Sequence, residues 1–185
     1  MPKTKNVSVA KPKITGAIYR APLKTALPAD ATTALNVAFK ELGYVGEDGV
    51  TNNNSADSDN IKSWGGAVVA TTQKEKKDTF KFKLIEALNT EVLATVYGSG
   101  NVSGALATGI KVSANAKELE SAEYVIEIIL RNGIAKRIVI PEGKISEVGE
   151  ITYKDDELIA YEITVTALPD DDGNTHYEYI KETAA

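Results

Sequence analysis

The chain has 185 residues, 43% hydrophobic and 25% charged, a size and balance that suit one globular domain and exclude wholesale disorder. It has no cysteine and a single histidine, His176, which excludes disulfide staples, thiolate zinc sites and cysteine nucleophiles. The formal net charge of −5 is unevenly spread, with Lys3, Lys5, Lys11, Lys13, Arg20 and Lys24 unopposed by any acid in residues 1–29 and the acidic excess gathered from Glu147 onward. A DNA-gripping protein would carry its basic charge on a folded face and not on a terminal arm alone.

Residues 1–13 lack periodicity and read as an arm that is flexible in the free subunit. Lys11 and Lys13 interrupt any apolar stretch that could act as a secretion signal, so the chain is expected to stay where it is made. No apolar run approaches the roughly 18 residues that span a bilayer, and no membrane anchor is expected. Residues 14–181 form the expected single domain, and 182–185 a short tail.

A first strand is predicted from Ile14 to Tyr19, ended by Pro22, which cannot donate to a ladder. Ala31, Ala34, Leu35, Ala38, Phe39 and Leu42 then recur at helical steps, with Asp30 as N-cap and Gly43 as stop. Glu47–Ser63 reads as a long exposed loop, because Asp48-Gly49 is a turn signal and residues 52–60 hold almost nothing to bury. Trp64 reads as core, and Ala67–Thr72 as a strand.

Thr79–Ala87 alternates Phe80, Phe82 and Leu84 with Lys81 and Lys83, the period of a half-buried strand. Asn89 caps a helix running to Tyr97, with Gly98 as its stop, Glu91 favouring the helix dipole, and Leu88 placed to staple onto Leu93. Val92, Leu93, Val96 and Tyr97 form its apolar stripe.

Strands are predicted from Tyr124 to Arg131 and from Ile134 to Ile140 around Asn132-Gly133, a pair suited to a type I′ turn because both positions need positive φ. A second hairpin is expected between Ile151–Tyr153 and Leu158–Ala167, around Asp155-Asp156. In its second strand Ile159, Tyr161, Ile163 and Val165 share one face. These elements add up to a mainly β protein, a β-sandwich or β-barrel of antiparallel strands with one flanking α-helix at 89–97 and room for a second short one.

Catalytic motifs fail on context. Gly98-Ser99-Gly100-Asn101-Val102-Ser103-Gly104 has the composition of a phosphate cradle but follows a helix instead of opening one, so it reads as a helix exit. Asp170-Asp171-Asp172-Gly173 lacks the ligand alternation of a calcium loop and reads as a solvated turn, as do Asp57 and Asp59. His176 has no evident orienting carboxylate and reads as a surface or strand-end residue. No catalytic, cofactor or metal site is expected, and the chain is not expected to be an enzyme.

Several stretches carry a family resemblance, in order along nearly the whole chain. They are Thr15-Gly-Ala-Ile-Tyr-Arg-Ala-Pro22, Leu42-Gly-Tyr-Val-Gly-Glu-Asp-Gly-Val-Thr51, Trp64-Gly-Gly66, Asp78-Thr-Phe-Lys-Phe-Lys-Leu-Ile-Glu-Ala-Leu-Asn89 with Val96-Tyr-Gly98, Ile151-Thr-Tyr-Lys-Asp-Asp156, and Thr175-His-Tyr-Glu-Tyr-Ile180. Together they resemble the major tail (tail tube) proteins of long-tailed bacteriophages. The resemblance implies two packed sheets near a barrel, rings of six subunits joined edge to edge, and stacking of rings into a tube through which DNA passes without specific binding. Its implied partners are other copies of the chain, together with tape-measure, tail terminator and distal tail proteins. The implied location is the virion tail, with assembly in the host cytoplasm.

In that family the arm and the long loop reach neighbouring subunits. The matching self-assembly candidates are Lys3, Lys5, Lys11 and Lys13 in the arm and Asn53, Asp57 and Asp59 in segment 47–63. Alternatives that stay open are a subunit of a related contractile or type VI secretion tube, a carbohydrate-binding β-sandwich built on an exposed aromatic platform, and a small hydrolase using paired carboxylates.

Overall fold

A computed structural model describes residues 1–13 and 16–183; Ile14 and Thr15, the start of the expected first strand, lie outside them. The fold is mainly antiparallel β, as the alternation predicts. The strands are β1 (Ala10–Pro12), β2 (Ile18–Pro22), β3 (Lys40–Glu41), β4 (Val45–Lys62), β5 (Val68–Leu84), β6 (Val102–Ala105), β7 (Gly109–Val112), β8 (Ala122–Leu130), β9 (Ala135–Val148), β10 (Tyr161–Leu168) and β11 (Tyr177–Lys181), with one α-helix, α1 (Thr90–Tyr97).

The large sheet runs β3-β2-β8-β9-β10-β5-β4, with β1 beside β8 and β11 beside β9. Its two ends, β3 and β4, are joined by only Leu42–Tyr44. At about 3.5 Å per extended residue, those three residues can connect the edges only if the sheet rolls toward closure. The joining residues are tied to the strands next to both edges, since the Leu42 N–H donates to the carbonyl of Ile18 in β2 (2.9 Å) and the N–H of Ile85, which follows β5, donates to the Tyr44 carbonyl (3.2 Å).

Inside the roll, alternation becomes cross-strand pairing. Phe80, Phe82 and Leu84 lie opposite Val165, Ile163 and Tyr161, and all six are buried. Such facing pairs are the unit of sheet stabilisation. Ile18, Tyr124, Ile126, Ile138 and Ile140 complete this core, and α1 contributes Val92, Leu93 and Val96. The Asn89 side chain accepts the Glu91 N–H and Gly98 closes the helix at φ 95°, as expected from the sequence. Leu88, however, is exposed, so the expected staple is not buried.

The turn between β8 and β9 has positive φ at both Asn132 and Gly133 (63° and 76°), the conformation that selects Asn-Gly. The following strand outruns its expected end at Ile140 and reaches Val148. Its second half takes β10 as partner through Leu168↔Glu142 to Ile163↔Val148, so the expected hairpin around Asp155-Asp156 does not form. Residues 149–160 are an irregular connection instead, because β9 and β5 already occupy both edges of β10.

The expected helix over 31–42 is also absent. Asp30 does accept the N–H groups of Thr32 and Thr33 (both 2.6 Å), as an N-cap would. The carbonyls of Asp30 and Thr33, which a helix needs for its own ladder, are taken by the Arg137 guanidinium (2.7 and 2.9 Å). The apolar residues of the segment are divided between two cores. Leu42 enters the interior of the roll, whereas Phe39 joins Ala21, Val125 and Val139 on the outer face.

Candidate assembly surfaces

The expected loop 47–63 is strand. β4 pairs with β5 from Val45↔Leu84 to Lys62↔Val68, with irregularities near Asp57 and Ile61. β10 covers β5 only from Thr79 to Leu84. Beyond that point the two strands continue as a free ribbon, and residues 51–77 are exposed without interruption. Neither face of the ribbon is buried, so the sequence there shows no hydrophobic alternation and could not be distinguished from a loop by periodicity.

Alternation assigns the residues of β4 to two faces. The face continuous with the core carries Asn52, Asn54, Ala56, Ser58 and Asn60, with Asp78 opposite Asn54 and Lys76 opposite Ala56 on β5. The other carries Asn53, Asp57 and Asp59. Asp59 pairs with Lys74 across the ribbon at 2.6 Å, and Asn53 lies opposite Thr79.

At the tip, the Gly66 N–H donates to the Ser63 carbonyl (2.9 Å) and the Ser63 N–H to the Ala67 carbonyl (2.8 Å). This tight turn displays Trp64 fully exposed, beside exposed Ile61, Val68 and Val69. Trp64 is therefore not core, contrary to expectation, but the largest side chain of the tip, standing in solvent.

The root of the ribbon is polar and built. The Asp78 side chain is fully buried, and His176 Nδ1 lies 2.5 Å from its Oδ2. Thr175 donates to Oδ2 (2.5 Å) and Asn52 to Oδ1 (2.8 Å), while the His176 ring meets Phe80 edge-on. Burial pushes the Asp78 carboxyl up, but the hydrogen bonds from Thr175, Asn52 and His176 outweigh burial and hold it below the usual carboxylate range. His176 thus has an orienting carboxylate after all, supplied from 98 residues away in sequence; no fixed spacing could have revealed it.

The arm is exposed throughout residues 1–13, yet part of it is docked. β1 pairs with β8 (Ala10↔Leu130, Pro12↔Ile128), and the Arg131 N–H donates to Ser8 Oγ (2.7 Å). Lys13 reaches Glu127 at 2.5 Å. Glu127 also binds the Arg137 guanidinium, and both of those side chains are buried. Lys3, Lys5 and Lys11 lie along the exposed arm, so among the described residues Lys13 is the one arm candidate brought to an acid, and that acid is in its own chain. The buried Glu127–Arg137 pair escaped sequence reading, although Glu127 within Ile126-Glu127-Ile128 was a signal of a charge placed in an apolar strand.

In the large sheet, β1, β3, β4 and β11 each pair on one side only. The outer face of β5 and β10 is an ordinary solvated one, with Lys81 paired to Glu162 at 2.7 Å. The glycine-rich stretch at 98–104 leaves α1 through a short 3-10 turn into β6, and Asp170 closes a turn by accepting the Asp172 and Asn174 N–H groups. Among the described residues no group of three or more His, Cys, Asp or Glu is placed to hold a metal ion, and no helix is long and apolar enough to cross a membrane.

A family model described as phage tail tube protein matches residues 4–185. No curated protein matches the chain.

Proposed function

The chain belongs to the phage tail tube protein family, structural components of the virion tail, and from that membership we propose that it assembles into rings, six subunits to a ring, which stack into the conduit for DNA ejection. The observation that carries this reading is the free ribbon of residues 51–77. A two-stranded hairpin without a covering layer is marginal in water, and its unpaired edges invite association. A neighbouring copy would convert both liabilities into contacts.

The one-sided strands β1, β3 and β11 support edge-to-edge joining within a ring, because closed rotational symmetry satisfies every open edge in turn. An acidic body supports a lumen along which DNA slides without sticking. Tape-measure, terminator and distal tail proteins are the proposed partners at the ends, with assembly in the host cytoplasm. The arm and the ribbon are the proposed inter-subunit elements.

Negative-stain microscopy of the concentrated protein tests the proposal. Hollow rings and tubes of uniform diameter are the expected result. A protein that remains monomeric by sedimentation velocity at all attainable concentrations would overturn it.

A further inference from the structure

The Trp64 tip has a matching surface at the far end of the same strand. β5 runs 17 residues from Val68 to Leu84, about 50 Å at strand rise, and the chain then enters an open groove of about 740 Å³. Ile85, Ala87, Leu88, Leu158 and Ile159 give the groove its apolar lining, with Leu88 66% and Leu158 72% exposed. Large apolar side chains clustered at that exposure mark an interaction site more often than an ordinary surface.

The two surfaces are complementary in charge as well as in polarity. From Asn60 to Ala70 the tip carries one charged residue, Lys62, beside Ile61, Trp64, Val68 and Val69. The charged lining of the groove is Glu86, Lys154 and Glu157; Lys154 pairs with Glu157 at 3.0 Å, which leaves Glu86, opposite in sign to Lys62. The tip cannot occupy the groove of its own subunit, since the extended ribbon holds them at opposite ends and Trp64 is fully exposed.

Resting on the tube reading above, we infer that Trp64 of one subunit docks into the Leu88–Leu158 groove of a second copy. The contact is heterologous, head to tail: each subunit offers one tip and one groove, so the interaction propagates from copy to copy instead of closing a two-fold dimer. A buried tryptophan surrounded by a polar rim is the usual anatomy of an energetic anchor.

The absence of native cysteine permits a direct test on the full chain. Ser63→Cys and Leu158→Cys variants, both at exposed positions, are mixed under assembling conditions and oxidised, with Ile180→Cys and Val9→Cys as comparison sites. The expected result is a cross-linked dimer from the Ser63→Cys and Leu158→Cys mixture and none from Ser63→Cys with Ile180→Cys. Trp64→Ala and Leu158→Asp should each abolish tubes while leaving the monomer's melting temperature unchanged. Mixed together, they should form one-to-one pairs through this contact and nothing longer, because the groove of the first variant can still receive the tip of the second.

Tubes from the wild-type chain without the expected cross-link would overturn the docking and leave the tube reading standing. Preferential cross-linking of Val9→Cys to Leu158→Cys would make the arm the occupant of the groove and also overturn it. A wild-type chain that never assembles would overturn both.

Discussion

The two halves of β5 share one backbone conformation and have opposite environments. From Thr79 to Leu84 the strand is flanked by β4 and β10 and buries Phe80, Phe82 and Leu84. From Val68 to Lys77 it has β4 alone and buries nothing. Ladder hydrogen bonds are therefore present along the whole strand, whereas side-chain burial is confined to one half. A net hydrogen bond contributes only about 1 kcal/mol because water competes for it, so the buried half supplies the monomer's stability and the exposed half is left free for the assembly contacts proposed above.

The comparison breaks most sharply at Phe80. Phe80→Ala should lower monomer stability by about 3–5 kcal/mol in urea unfolding, since it removes a fully buried ring from the centre of the core. A loss below about 1 kcal/mol would mean that the two halves are energetically alike.

Glu127→Ala should cost about 3 kcal/mol, because the buried Arg137 charge loses its carboxylate and Lys13 loses the acid that tethers the arm. Unfolding midpoints measure this loss. Glu127→Gln, which keeps an acceptor for the guanidinium, should recover part of it.

Asp78 stands at the boundary of the two halves, and its contribution depends on pH. Its carboxyl in the folded subunit is held below the ordinary range, so the stabilisation is fully present above the unfolded value of about 3.9 and disappears as pH falls through the lower folded value. Between pH 5 and pH 3 the wild type should lose more stability than Asp78→Asn, in parallel urea titrations. Equal losses would show that the carboxylate network does not hold the ribbon's root.

The smallest expected effect on the monomer comes from removing the ribbon itself. Replacing residues 55–77 by an Asn-Gly turn should shift the melting temperature by only a degree or two, since those residues bury nothing, while abolishing tubes in micrographs. Trp64 offers an optical counterpart: its emission should be that of a solvated indole in the monomer and should shift to shorter wavelength on assembly.

By itself the sequence determined the parts that rest on local chemistry and on alternation against a core. Phe80, Phe82 and Leu84 announced a half-buried strand, Asn89 and Gly98 bounded the helix, and Asn132-Gly133 specified its turn, because each signal is contained within a few neighbouring residues. The mainly antiparallel β class followed from the same patterns. Only the tertiary structure decided the rest. It turned 47–63 from a loop into strand by supplying β5 as its hydrogen-bond partner, a change that leaves no mark in hydrophobicity when neither face is buried. It cancelled the helix at 31–42 because Arg137, a hundred residues on, takes the carbonyls that the helix would have used. It joined His176 to Asp78 and Lys13 to Glu127, and it moved Trp64 from an expected core to an exposed tip. Apart from β5, which follows β4 through a tight turn, the deciding partner comes from a distant part of the chain or, in the assembly proposed for Trp64, from a second copy. A local pattern cannot encode the position of a partner that only folding brings near.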